Sequence, residues 1–527
     1  MNFVFRADAS LAMGTGHFMR CLALAETLRA RGAQVKFVCR EHAGHFIGLL
    51  DKRGIPVARL AGPSRSAATS RGVYGAWLGV TQAQDALETA ESFRREKPDW
   101  LVVDSYALDV EWEARLRPHA GRLMVIDDLA DRAHDCDVLL DQNYSNRSGH
   151  YADLVPEKCR RLLGPRYALL GPKFRTYRSP LRAHRGKVET VVIFFGGSDP
   201  ENASSTALEA LSVPGLRHLE VDLVVGANNP HRTELERLAA ARARTRIHGP
   251  LPDLASLMAR ADLGLGAGGV TTWERMCLGL PSVIVSIADN QRPVSQALAD
   301  ARLARYAGHR AEAGAVRLAS ILEQLNAEPA TLSEMSLQGQ LLVDGLGAAR
   351  VAEVLLPTRA EQIRLRAADA NDVVAFFNWA NDPDVRVNAI TTKPIPWPEH
   401  QEWFGQRVRS GASRLFVLEA SGLPVGQIRF DQAAGETAID YSLDEIVRGR
   451  GWGGRLLSMG MEIIQETGPV DLSAAVKAGN PRSHAVFRRL GFDVARGASP
   501  DMTVYRKHLP GPHGADGDRA VAHRQCK

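Results

Sequence analysis

A turn near the start of the chain, Gly14-Thr15-Gly16-His17-Phe18-Met19-Arg20, sets an imidazole and a guanidinium beside two glycines. An imidazole changes charge near neutral pH and can take a proton from water. The turn follows an extended run at residues 2–7 and precedes a helical pattern at 21–28. A helix that starts at such a turn points unpaired backbone N–H groups at whatever occupies its mouth. The pattern predicts a ligand there, contacted by Gly16 and Arg20, with His17 exchanging the proton; a histidine that only caps a helix is the other reading.

Two more glycine turns follow the same plan. Gly196 and Gly197 come after the apolar run 191–195, and Asp199-Pro200 then leads towards a helix from about residue 203. Glycines let backbone approach a diphosphate closely, whereas in a plain turn Asp199 would simply cap the helix. Gly268 and Gly269 end the run 263–267 and lead into a helix carrying Glu274, whose carboxylate can accept two ribose hydroxyl bonds. Asn290 and Gln291, after the strand-like run 283–285, offer donors and acceptors to a sugar.

The opening wording, Arg6-Ala7-Asp8-Ala9-Ser10 and then Gly14 to Leu22, resembles the UDP-sugar hydrolases of pseudaminic acid biosynthesis, and the resemblance extends to about residue 355. Those enzymes release UDP from UDP-2,4-diacetamido-2,4,6-trideoxy-β-L-altropyranose. The resemblance implies two Rossmann-like domains of the glycosyltransferase-B type, with UDP on the second and the active cleft between them. It implies that His17 is catalytic, with Tyr106 and Asn290 at the sugar, and that Glu274 holds the ribose. It also implies no metal for the acidic run Asp127, Asp128, Asp131, Asp135 and Asp137, whose carboxylates are otherwise expected to be solvated or bound to backbone.

Further on, Arg448-Gly449-Arg450-Gly451-Trp452-Gly453-Gly454 fits the R/Q-x-x-G-x-G/A pattern, followed by Asn480-Pro481-Arg482-Ser483 and Phe487. Successive amides at a loop and helix start can hold a pyrophosphate. Together these motifs resemble the GNAT acyltransferases, which implies acetyl-CoA as cofactor, held at Arg448, Gly449, Gly451, Gly453 and Gly454, with contacts from Asn480 and Ser483. Many GNAT enzymes carry a proton-donating tyrosine where this chain has Phe487, so another group or water must supply that proton.

These motifs need elements to position them. Alternating strand and helix signals, including strand-like runs at 35–39, 100–104 and 123–128, predict parallel α/β layers over 1–175 and again over 188–356. Ligands then meet the carboxyl ends of strands, where Asp104, Tyr106, Asp127 and Asp128 fall. A linker at 357–361 separates an α+β GNAT domain at 362–507 with a hairpin at 414–430, and residues 508–527 read as a disordered tail. The aromatic, glycine-rich stretch 71–80 reads as a loop over a cleft.

At 527 residues the chain exceeds one core, and 45% hydrophobic with 24% charged residues is the balance of a globular protein. The net charge of +5 is spread over both signs and gives no reason to expect nucleic acid. No apolar run is long enough for membrane insertion, and six scattered cysteines without metal spacing fit reduced thiols in the cytoplasm. The reading is a bifunctional enzyme of nonulosonic acid synthesis that binds a UDP-sugar and acetyl-CoA. The alternatives are a glycosyltransferase of the same fold and a non-catalytic UDP-sugar module serving the acetyltransferase.

Overall fold

The computed structural model describes residues 1–63, 74–145, 149–179, 182, 184, 186–433, 435–495 and 501–511. Residues 71–73 of the aromatic stretch and 512–527 of the expected tail lie outside the described residues, whereas 508 and 509, expected in that tail, end the strand Met502–Leu509 because they pair with Asp471 and Val470. The chain forms two compact units, Met1–Leu356 and Pro357–Lys527.

The first unit holds two parallel sheets. The strands of the first are β1 (Asn2–Ala7), β2 (Gln34–Arg40), β3 (Val57–Leu60), β4 (Trp100–Asp104), β5 (Arg122–Ile126), β6 (Val138–Asp141) and β7 (Arg160–Leu163). They lie in the order β3-β2-β1-β4-β5-β6-β7. The second has β8 (Thr190–Phe194), β9 (Glu220–Val224), β10 (Thr245–His248), β11 (Leu263–Ala267), β12 (Ser282–Ser286) and β13 (Arg305–His309), in the order β10-β9-β8-β11-β12-β13. Central strands such as Trp100–Asp104 and Ser282–Ser286 are buried throughout, which is why they read as continuous apolar runs instead of alternating ones. In each sheet the order reverses beside its first strand, and a crevice opens there at the carboxyl ends. The His17 turn leaves β1, the Gly196-Gly197 turn leaves β8 and the Gly268-Gly269 turn leaves β11. All three glycine motifs therefore sit at reversal points, the two-Rossmann layout of the glycosyltransferase-B type.

The lobes exchange helices relative to the expected boundaries at 175 and 188. Helix Pro172–Tyr177 packs Phe174 into the second lobe's core with Met258, Trp273 and Cys277. The following Arg178 donates to the carbonyls of Cys277, Gln340 and Val343 at 2.7 to 2.9 Å. Helix Gly347–Leu355 returns to the first lobe, where Trp100 donates its indole N–H to the Leu355 carbonyl at 3.0 Å and Arg31 pairs with Glu353 at 2.7 Å. Neither crossing is visible in local periodicity.

The second unit has β14 (Ile363–Ala367), β15 (Ser413–Ala420), β16 (Leu423–Ala433), β17 (Glu436–Leu443), β18 (Val470–Lys477), β19 (Asp493–Val494) and β20 (Met502–Leu509). Their order is β14-β15-β16-β17-β18-β20-β19, with antiparallel neighbours except β17 and β18. These two run parallel and pair only at Thr437 with Leu472 and Ala438 with Ser473, so the sheet splits beyond them. The end of the expected linker runs into a short 3-10 turn at residues 360–362.

A buried ionic network anchors the first lobe. Asp85, fully buried, accepts from Arg6, Arg40 and Trp112 at 2.6 to 3.1 Å. Removing one member of such a network leaves uncompensated charge in low dielectric and costs about 3–5 kcal/mol. Asp85→Ala is expected to lower the urea midpoint of the first unit by a corresponding amount, read by circular dichroism; an unchanged midpoint refutes the assignment.

Candidate functional site

His17 is the second residue of helix Gly16–Ala30, directly above the end of β4. Asp104, the last residue of β4, lies opposite Ala7 of β1, so the strand pairing carries its carboxylate beneath that helix. His17 Nδ1 stands 2.6 Å from Asp104 Oδ1. Arg20, one turn along, gives Nε to Asp104 Oδ2 at 2.6 Å, Nη2 to Oδ1 at 2.8 Å and Nη1 to Asp128 at 2.8 Å. Burial opposes ionisation of Asp104, but Arg20 and His17 outweigh it and hold the carboxyl well below the usual range. A carboxylate fixed on Nδ1 selects the tautomer whose Nε2 lone pair can act as a base. The sequence places Asp104 at a strand end, and only the fold joins it to His17.

Tyr106 is buried, with its ring edge-on to His17 at 4.4 Å between centroids. Its hydroxyl donates to Asp128 at 2.5 Å and accepts from Asn290 of the second lobe at 3.2 Å. Burial and the facing Asp128 carboxylate push its ionisation well above the ordinary value, so it stays a donor. Trp77 stacks on Tyr106 at 5.7 Å and Tyr74 closes the group at 5.0 Å, an aromatic wall contributed by the described part of the 71–80 stretch.

A cavity of about 310 Å³ lies between the lobes. Gly16, His17, Arg20 and Tyr106 line it from one side, and Gly196, Gly197, Gly268, Gly269, Asn290 and Gln291 from the other. The walls are close, since a Cβ on Gly16 would touch Val270 at 3.5 Å and one on Gly197 would meet Thr15 at 3.3 Å. Gly226 supports the Gly197 turn from behind, where a Cβ would fall 2.2 Å from the Gly197 carbonyl oxygen.

Several residues stand differently from the expectation. The Arg20 guanidinium is spent on two carboxylates, so it supports the site while its surface lines the cavity. Asp199 accepts from the amides of Ala203 and Ser204 at 2.9 and 3.0 Å and caps helix Ala203–Ala210. Gln291 accepts from the Ile287 amide through its side-chain oxygen at 3.0 Å, which leaves the NH2 group near Gly269. Glu274 does not line the cavity; it stands one turn into helix Thr271–Cys277, whose start does. Burial pushes its carboxyl up to about 7. Asp128, expected at a strand end, also lines the cavity, as do Gln142, Asn143 and Arg310, which no motif marked.

The acidic run is committed to bases and backbone. Asp127 pairs with Arg132 at 2.9 Å and accepts from Tyr151 at 2.8 Å, and Asp135 and Asp137 both meet Arg117. Among the described residues no group of three or more potential ligands is placed to hold a metal, and no helix is long and apolar enough to cross a membrane.

In the second unit a cavity of about 720 Å³ fills the split between β17 and β18. Arg448, Gly449, Gly451, Gly453, Gly454, Asn480 and Ser483 all line it. Gly449 and Gly451 take φ of 80° and 77°, which turns the loop into helix Trp452–Gln465. The Arg448 side chain folds back onto Asp382 at 2.9 Å and Asp384 at 3.1 Å, so the loop amides carry the anion-binding capacity. Asn480 caps helix Pro481–Arg489 by accepting from the Ser483 amide at 3.1 Å. These features fit a pyrophosphate-bearing cofactor: a turn of free glycine geometry opening a 14-residue helix at the mouth of a deep cleft.

Residues 362–493 match the model of the acetyltransferase (GNAT) domain. Protein MJ1062 of Methanocaldococcus jannaschii is 20% identical over 544 aligned positions, covering 97% of this chain and all of that protein. The UDP-2,4-diacetamido-2,4,6-trideoxy-beta-L-altropyranose hydrolase of Campylobacter jejuni is 26% identical over 258 residues, 49% of this chain and 81% of the hydrolase. Spore coat polysaccharide biosynthesis protein SpsG of Bacillus subtilis is 26% identical over 223 residues, 41% of this chain and 65% of SpsG. The chain thus joins a portion similar to a UDP-sugar hydrolase and to SpsG with a C-terminal GNAT domain, and its likeness to MJ1062 runs through both.

Proposed function

We propose that the first unit hydrolyses UDP-2,4-diacetamido-2,4,6-trideoxy-β-L-altropyranose to UDP and the free sugar, and that the second acetylates the 4-amino group of its UDP-amino-sugar precursor. The observation that carries the first activity is the 2.6 Å contact of His17 Nδ1 with the buried Asp104 carboxylate on a ring that lines the cleft, so that Nε2 is the nitrogen left for chemistry. His17 takes a proton from water, the water oxygen bonds to the anomeric carbon, and the bond from that carbon to the diphosphate breaks with its electron pair leaving on UDP. The glycine turns at Gly196-Gly197 and Gly268-Gly269 offer backbone amides to the departing charge, and Glu274, set behind the cavity lining one turn into helix Thr271–Cys277, is the acceptor for a ribose that runs past the start of that helix. Tyr106, kept protonated and donating that proton to Asp128, offers its ring and hydroxyl oxygen to the sugar as wall and acceptor, with Asn290 beside it. Acetyl-CoA supplies the acyl group in the second unit, held at Gly449 to Gly454. Consecutive reactions on one chain raise the local concentration of the shared intermediate.

Incubation with the UDP-diacetamido sugar, following UDP and free sugar together, tests the hydrolase. Release without an added acceptor is expected. Release only with an acceptor would identify a transferase, and binding without release a non-catalytic module. His17→Ala is expected to cut the rate about 10²–10⁴-fold while UDP still binds; a wild-type rate ends the proposal.

Glu274 gives a pH signature. Its carboxyl is ionised only above about 7, and the ionised form is the better acceptor for ribose. Affinity for uridine, which lacks a titrating phosphate, is expected to rise between pH 6 and pH 8 and to become flat in Glu274→Gln, measured by calorimetry. An equal rise in both proteins removes Glu274 from the ribose.

For the second activity, His17→Ala protein supplied with acetyl-CoA and the UDP-4-amino sugar is expected to add one acetyl group, read by mass spectrometry. No added mass refutes that acceptor.

A further inference from the structure

Acetyl transfer expels a thiolate, and a thiolate leaves readily only if it gains a proton. The cleft of the second unit has few groups that can provide one. Phe487 has no exchangeable proton and is stacked on Tyr505 at 5.4 Å. His484 has both ring nitrogens engaged, Nδ1 with the Tyr505 hydroxyl at 2.9 Å and Nε2 with the Lys477 carbonyl at 3.0 Å. His400 donates Nε2 to the Val373 carbonyl at 3.1 Å, and burial pushes its pKa down to about 4, so it carries no spare proton at neutral pH.

Tyr441 differs from all of these. It lies on β17, beyond Ala438, the last residue paired with β18, where the strands have parted. It lines the cavity, and its hydroxyl reaches across to Ser483 Oγ at 3.1 Å, beside the Phe487 ring at 5.9 Å. Its ring is within 3.5 Å of a Cβ placed on Gly453. An acyl carrier anchored on that glycine loop and threaded into the split must therefore pass the Tyr441 hydroxyl. Burial raises the ionisation of this phenol, which keeps the proton in place up to alkaline pH.

We propose that Tyr441 protonates the leaving thiolate, doing from β17 what Phe487 cannot do from its helix. The inference rests on the acetyl-CoA reading of this unit. In the step, the amine nitrogen bonds to the acyl carbon, the carbon–sulfur bond breaks with its electron pair on sulfur, and sulfur takes the Tyr441 proton. Ser483 then returns to the phenolate the proton that the amine nitrogen sheds, so the exchange closes with amide and free thiol.

The test uses the full chain and CoA itself, which needs no acceptor. A hydrogen-bond donor on sulfur favours the thiolate. The thiol of bound CoA, followed by thiolate ultraviolet absorbance, is expected to titrate about one pH unit higher in Tyr441→Phe than in the wild type. The double variant Tyr441→Phe, Phe487→Tyr is expected to bring it back towards the wild-type value. Equal titration of CoA on wild type and Tyr441→Phe overturns the role of Tyr441 and leaves the acetyl-CoA reading standing. CoA that binds neither protein overturns that reading and the inference with it.

Discussion

A single buried carboxylate holds the first unit's site together. Asp104 is shared between an imidazole and a guanidinium from the same helix, and each holds the other in place. Without Arg20 the buried Asp104 would have only one strong partner, and without Asp104 His17 would lose its orientation. The arrangement exists because β4 lies next to β1 in the sheet, although about a hundred residues of chain separate them in sequence. Tyr106, two residues beyond Asp104, joins the same system through Asp128, which Arg20 also holds.

The same economy of charge runs through the rest of the first lobe. Carboxylates that look free in the sequence are taken by arginines, tyrosines or backbone amides, as with Asp85, Asp127 and Asp137. Buried ions persist only when so paired. The exchange of helices between lobes, fixed by Arg178 on one side and Trp100 on the other, ties the two walls of the cleft into one unit. Asn290 and Tyr106 can then meet at 3.2 Å across it.

The second unit solves a different problem with the backbone. A sheet that pairs for two residues and then parts makes a cavity without any insertion, and the glycine loop stands at its mouth. Side chains that a motif marks are then free for structural work: Asn480 caps a helix and Arg448 braces the loop against Asp382.

Much of this was legible in the residues themselves. The apolar runs at 100–104, 191–195 and 283–285 read as strands because buried parallel strands have no solvent face, and the glycine turns after β1, β8 and β11 come together on one cavity. The linker after residue 356 and the glycine loop at 448–454 were equally plain, since both depend on local conformation. The pairing of His17 with Asp104, the diversion of Arg20 from ligand to support, the return of helix Gly347–Leu355 to the first lobe and the approach of Tyr441 to Ser483 were not. Each depends on which strands become neighbours, and strand order is set by the burial of whole layers instead of by any window of sequence. Residue types and turns were fixed locally; partners were decided by the tertiary fold, because a side chain's charge and reach take effect only against groups that packing brings within a few ångströms.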